Sequence, residues 1–201
     1  DRLVEVIERN GVTDCSSQPA GCYHTKYTWS VLGDLTRIED AQANVKTLTY
    51  DSLRRKSAMN DPDRGKMAYA YDDVGNLIRT IDAKGQVITY AYDAANRILE
   101  ENYLDRGCAP NAPAACDPPD VVYRYDAPSV DVDFGDRTSA SATFTGGRLA
   151  SVKDLSGEEH WSYDARGNTA WTVKKIRDPL LGVLVPFATQ FAYDLMDRMT
   201  D

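Results

Sequence analysis

Bulky and polar residues alternate along this chain, in short runs broken by Asp, Gly and Asn. Alternation of that period is the mark of a half-buried strand. Helical periodicity is weak throughout, and the best rival stretch, Ala41 to Lys46, is too short to stand alone. The alternation also repeats. Trp29, Tyr50, Tyr71 and Tyr92 recur at one constant interval, a period of about 21 residues. Two residues before each sits another bulky side chain: Tyr27, Leu48, Tyr69 and Tyr90. Aspartate follows directly at Asp51, Asp72 and Asp93. Glycine comes four residues after the aromatic at Gly33 and Gly75, and an aliphatic six after it at Leu35, Leu77 and Ile98.

The pattern resumes after irregular gaps. Tyr123-Arg124-Tyr125-Asp126 comes first. Gly147-Arg148-Leu149 then supplies a second half-motif, with Thr143 in the aromatic slot. Trp161-Ser162-Tyr163-Asp164 with Gly167 follows, and Phe191-Ala192-Tyr193-Asp194 comes last. Aromatics two apart share one face of a strand. The aspartate can accept hydrogen bonds from the next turn's N–H groups, and the glycine can take a positive φ. A second turn signal recurs at Asp40, Asp61, Asp82 and Asp154. Each period therefore predicts two strands and two turns. Such units cannot bury a face alone and must stack. For any single aromatic, packing in that stack is the plain reading.

The motif resembles the YD repeat, also called the RHS repeat. Tyr69-Ala70-Tyr71-Asp72-Asp73-Val74-Gly75-Asn76-Leu77 carries the resemblance best, and it recurs at Tyr90–Asp93, Trp161–Asn168 and Phe191–Asp194. What the resemblance implies is an all-β array of stacked two-strand units forming a spiralling sheet, part of a hollow β-shell. Bacterial RHS proteins, the B and C components of insecticidal toxin complexes and the teneurin ectodomain are built this way. In the toxin members the shell encloses a variable C-terminal toxic domain, released by an aspartyl-protease-like core. The sequence departs from the pattern where Arg54, Asn96 and Asp197 replace the turn glycine and where Trp29-Ser30 replaces Tyr-Asp. Asp178-Pro179-Leu180-Leu181-Gly182 only faintly resembles the family's core element and reads as an extended connection with a proline turn.

The four cysteines fall in two insertions, at about 12–26 and 104–121, each opposite the Tyr-Asp turn. Cys15 with Cys22 and Cys108 with Cys116 read as two loop staples, which would place the chain in an oxidising compartment. A zinc site using Cys15, Cys22 and His24, or free thiols, are the rival readings. The spacing is wider than structural zinc prefers.

Composition and charge narrow the partners. Twelve Tyr against four Phe is the repeat counted another way. The net charge of −8 disfavours a nucleic-acid partner held through phosphates. No apolar run approaches the ~20 residues of a membrane helix. Aromatic stripes also stack on sugars, which keeps glycan binding open. Asp131–Asp136 reads as an acidic turn rather than a calcium loop, because no acid stands at position twelve. Glu158-Glu159-His160 reads as a solvated strand edge. No cofactor motif is present, and the expectation is non-enzymatic. The chain begins and ends inside a repeat. This suggests a single array over 1–201 cut from a longer shell with a toxin cargo, or identical chains joined head to tail. The expected location is secreted or at the cell surface, with extracellular assembly or adhesion as the alternative role.

Overall fold

A computed structural model describes residues 1–17, 20–103 and 118–200. The described residues form strands and turns only, and the chain divides into two compact units, 1–89 and 90–201.

In the first unit the strands follow one another as β1 (Glu5–Arg9), β2 (Cys22–Trp29), β3 (Leu35–Glu39), β4 (Val45–Tyr50), β5 (Lys56–Asp61), β6 (Gly65–Tyr71) and β7 (Leu77–Ile81). β8 (Val87–Tyr92) carries the chain across the boundary. Each strand pairs antiparallel with the one before it. This is the meander that a sequence of short turns dictates. One irregularity recurs: the register slips just before the aromatic, at Thr28/Trp29, Thr49/Tyr50 and Ala70/Tyr71. The extra residue lies on the returning strand (Thr36, Ser57 and Ile78), a β-bulge that sharpens the local twist. Met59 and Cys15 are the buried apolar side chains described here.

The second unit holds β9 (Ile98–Asn102), β10 (Val121–Tyr125), β11 (Val132–Asp133), β12 (Ser139–Ala140), β13 (Leu149–Lys153), β14 (Gly157–Tyr163), β15 (Thr169–Arg177), β16 (Leu184–Gln190), β17 (Ala192–Tyr193) and β18 (Met199–Thr200). Its main sheet runs β9-β10-β13-β14-β15-β16, with β11-β12 and β17-β18 as separate hairpins. The bulge returns at Arg124/Tyr125 and Ser162/Tyr163.

Three sequence expectations are corrected here. Thr143 does not fill an aromatic slot. Tyr125 pairs directly with Leu149, so Tyr125-Asp126 and Gly147-Arg148-Leu149 are the two halves of one turn. Asp126 and Leu149 stand far apart in sequence, where Asp72 and Leu77 are separated by a single short turn. The difference is an insertion that folds back onto the sheet. Its Val132 and Ala142 are buried with Trp171 and Val173 of β15, and Phe134 meets Trp171 edge-on at 5.3 Å between centroids. Second, the proline turn expected at Asp178–Gly182 is present, but it closes a hairpin between β15 and β16 instead of belonging to an extended connection. The Asp178 carboxylate accepts the N–H groups of Leu180 and Leu181 at 2.8 and 2.9 Å. Third, Glu158-Glu159-His160 is not on a sheet edge, because β14 is paired on both sides. His160 Nδ1 lies 2.8 Å from Ser129 Oγ, and Ser162 Oγ accepts the Thr143 N–H at 3.0 Å. These two contacts hold the insertion against β14.

Candidate functional site

The repeated feature is the turn after each aromatic. In the turns opening at Asp51, Asp72, Asp93, Asp164 and Asp194, the aspartate N–H donates to the carbonyl four residues on, at 2.8 to 3.0 Å. The residue three on returns its own N–H to the aspartate carbonyl at 3.0 to 3.2 Å. That residue has a positive φ every time: +64° at Arg54, +102° at Gly75, +61° at Asn96, +97° at Gly167 and +58° at Asp197. Glycine takes this conformation without strain, and the other three hold it against a steric cost.

The aspartate carboxylate closes the ring. Oδ1 accepts the N–H groups two and four residues on: Leu53 and Arg55, Val74 and Asn76, Ala95 and Arg97, Arg166 and Asn168, Met196 and Arg198. Oδ2 accepts the side chain of the residue four on, at 2.7 Å from Arg55 Nε, 2.9 Å from Asn76 Nδ2, 2.7 Å from Arg97 Nε, 3.2 Å from Asn168 Nδ2 and 2.8 Å from Arg198 Nε. Backbone donation from Arg55, Arg97 and Arg198 leads in holding the Asp51, Asp93 and Asp194 carboxyls below their ordinary range. At Asp72 and Asp164 desolvation pushes upward, and the donors of Asn76 and Asn168 overcome it. Ser30 forms the same ring with the roles exchanged. Its Oγ accepts the Asp34 N–H at 3.0 Å and donates to Asp34 Oδ2 at 3.2 Å.

At Trp29, Tyr50, Tyr71 and Tyr163 the aromatic before the turn reaches back to the preceding unit. Tyr50 Oη donates to the Leu35 carbonyl at 2.8 Å, Tyr71 to Lys56 at 3.0 Å and Tyr163 to Leu149 at 2.9 Å, while Trp29 Nε1 reaches Leu3 at 2.8 Å. Desolvation raises the pKa of these three phenols. An arginine from one turn covers the next aromatic, as cation–π pairing favours. Arg2 lies over Trp29 at 5.9 Å and Arg55 over Tyr71 at 4.8 Å. Arg97 lies over Tyr125 at 4.5 Å and Arg148 over Tyr163 at 5.3 Å. Each of these arginines stands five residues after an aromatic slot or in phase with that place. Sequence reasoning missed this position, although Arg55, Arg97 and Arg198 recur there, alternating with Asn76 and Asn168.

The remaining motif residues take their places around this device. Tyr69, Tyr90, Tyr123 and Trp161 lie two residues before the latch position on β6, β8, β10 and β14, and Tyr92 and Tyr193 end β8 and β17. Lys56 Nζ sits 4.3 Å from the Tyr69 ring centre. Tyr123 Oη donates to Glu101 Oε1 at 2.8 Å; desolvation first and this carboxylate second push its pKa up to about 12. Gly33 returns its N–H to the Ser30 carbonyl at 3.0 Å. In the split turn Gly147 donates to Asp126 Oδ1 at 2.7 Å, and Arg97 Nη2 meets Asp126 Oδ2 at 2.6 Å.

Cys15 and Cys22 are joined as a disulfide with Cα atoms 5.7 Å apart. Cys108 and Cys116 lie outside the described residues. His24 Nδ1 is 3.0 Å from Glu5 Oε1, and no three acidic, His or Cys groups among the described residues are placed to hold a metal.

The recurring element is thus a hydrogen-bonded turn, repeated along a meander of antiparallel strands and latched to its predecessor by an aromatic side chain at Trp29, Tyr50, Tyr71 and Tyr163. That defines an all-β repeat wall. Residues 71–106 match the family model described as RHS Repeat. The chain shares its fold with solved RHS-repeat shells of Tc toxins. One is the TcdB2-TccC3-TEV crystal structure, at a TM-score of 0.70 and 14% identity over 98% of this chain and 10% of that one. Another is the Photorhabdus luminescens Tc holotoxin pore carrying TccC3-D651A, at a TM-score of 0.68 and 12% identity over 98% of this chain and 10% of that one. The crystal structure of TcdB2-TccC3 without its hypervariable C-terminal region gives a TM-score of 0.70 and 13% identity, again over 98% and 10%. The chain spans about a tenth of the length of these structures. No curated protein matches it in sequence.

Proposed function

We propose that this chain is a wall segment of a secreted or cell-surface RHS-type β-shell that encloses or displays a C-terminal toxin domain, and that it carries no catalytic role of its own. The observation that bears most weight is the turn itself. Its polar groups are committed to fixing the backbone or to the neighbouring unit, as a structural repeat requires. The fold shared with Tc toxin shells supports the same reading. So does the short span relative to those structures, which suits one segment of a longer array covering 1–201 without a break. The cysteine pairs suit an oxidising compartment, with Cys108–Cys116 as a second staple.

Electron microscopy of the longest natural protein that contains this segment tests the reading. A closed hollow shell is expected, with these strands in its wall and a C-terminal domain that resists added protease until the shell is opened. An open filament, or a C-terminal domain cleaved as fast as a free one, overturns it.

A further inference from the structure

A cleft of about 710 Å³ opens on the second unit's sheet where β10, β13 and β14 lie side by side. That volume suits a small organic molecule. The register determines which side chains share its floor. Arg124 stands opposite Ser151, and Ser151 opposite His160. One row along, Val122 stands opposite Lys153, and Lys153 opposite Glu158. Arg124 and Lys153 are therefore diagonal neighbours about the hydroxyl of Ser151. Diagonal side chains of this length reach a common point.

The charges in the cleft are unequally engaged. Glu158 is held by Lys175 Nζ at 3.0 Å and flanked by His160 Nε2 at 3.2 Å. Asp154 caps its own turn through Ser156 and Gly157, and buried Asp120 accepts the Tyr103 N–H at 2.7 Å. All three carboxylates are thus committed to the fold. Arg124 and Lys153 make no side-chain hydrogen bond or ion pair among the described residues, and both are exposed. Val122, Leu155 and the Pro118-Pro119 pair add apolar wall beside them.

We propose that this cleft binds a small organic anion: a phosphate or carboxylate head between Arg124, Lys153 and Ser151, carried on an apolar body that lies against Val122 and Leu155. Arginine supplies a planar two-pronged donor, lysine a point charge and serine a hydroxyl donor, the usual set for such a head. The site is independent of the aromatic–aspartate turns and of the shell reading.

Phenyl phosphate titrated into the 15N-labelled chain tests it, with inorganic phosphate as the head alone. Saturable shifts are expected at the amides of Val122, Arg124, Ser151 and Lys153. Binding should weaken about tenfold or more in Arg124→Gln/Lys153→Gln, since charged hydrogen bonds carry that much. Because both side chains are exposed, the variant's remaining spectrum should match the parent, and Lys153→Gln alone serves as the milder variant. Three outcomes overturn the proposal: no saturable shifts with phenyl phosphate, unchanged binding by the double variant, or inorganic phosphate binding as tightly as phenyl phosphate.

Discussion

The two compact units solve one problem in different ways. In residues 1–89 a meander carries regular turns, and its described buried apolar side chains are only Met59 and Cys15. Its cohesion comes from rings of hydrogen bonds around Asp51 and Asp72 and from the Tyr50 and Tyr71 latches. In residues 90–201 the turn after Tyr125 is opened by an insertion, and the inserted residues build a small second layer around Val132, Ala142, Trp171 and Val173. The repeat therefore carries local order on its own. Dry burial enters mainly where the period is broken. A sheet without a covering layer leaves both faces partly wet, so its stability is spread over many small contacts. The inserted layer concentrates stability in a few side chains.

The contrast is sharpest at the inserted layer. Trp171→Ala removes the ring beneath Phe134 and should cost about 3–5 kcal/mol in the second unit. Denaturant unfolding followed at Trp161 should show it, and a loss below about 1 kcal/mol would mean that the layer carries little. Replacing Cys15 and Cys22 by Ser should cost about 2.5 kcal/mol at most, since the bridge closes a short ring. Protection from proteolysis should fall around 10–17 and nowhere in the second unit. Gly75→Ala meets no atom within 4 Å, so its effect is purely conformational at φ +102°. A cost of about 1–2 kcal/mol is expected from the melting temperature. Gly157→Ala, by contrast, drives a methyl into the Lys175 carbonyl and should cost more than Gly75→Ala. Equal effects would erase the distinction between the units.

The smallest effect is spread over the carboxylates. Hydrogen bonding from Lys46 leads in lowering the Asp61 carboxyl to about 2. A carboxyl with a depressed folded pKa binds its proton more weakly in the folded chain. Its contribution is therefore complete above the unfolded value of ~3.9 and is lost as pH falls towards the folded one. Tyr123 runs the other way: its contribution is complete below the unfolded value of ~10 and lost as pH rises through about 12. The melting temperature should hold steady from neutral pH down to about 5 and then decline. A decline already under way at neutral pH would contradict these assignments.

Much of the repeat was legible from spacing alone. Aromatics at a constant interval, most of them followed by Asp and then by a positive-φ residue, announce a strand, a turn and a returning strand. The partner of the carboxylate was harder to read, because Arg55, Asn76, Arg97 and Asn168 differ in type while serving one geometric role. The bulge left no compositional trace either, since Thr36, Ser57, Ile78, Ala150 and Ala170 share neither size nor polarity. The inserted layer escaped notice for a different reason. Val132 and Phe134 are embedded among aspartates, so the segment reads as an acidic turn until Trp171 is placed beneath it. Ser129 and His160 are distant in sequence, and only the fold brings them together.

One hydrogen-bonded aspartate turn, recurring once per period, orders this chain, and amide hydrogen exchange measures that directly. Slow exchange is expected at Leu53, Arg55, Val74, Asn76, Ala95 and Arg97, with fast exchange at Ser52, Asp73 and Ala94 between them. In Asp72→Ala, protection should be lost at Val74 and Asn76 and kept in the neighbouring turns. Uniformly fast exchange through all three turns, or protection that survives Asp72→Ala, would contradict it.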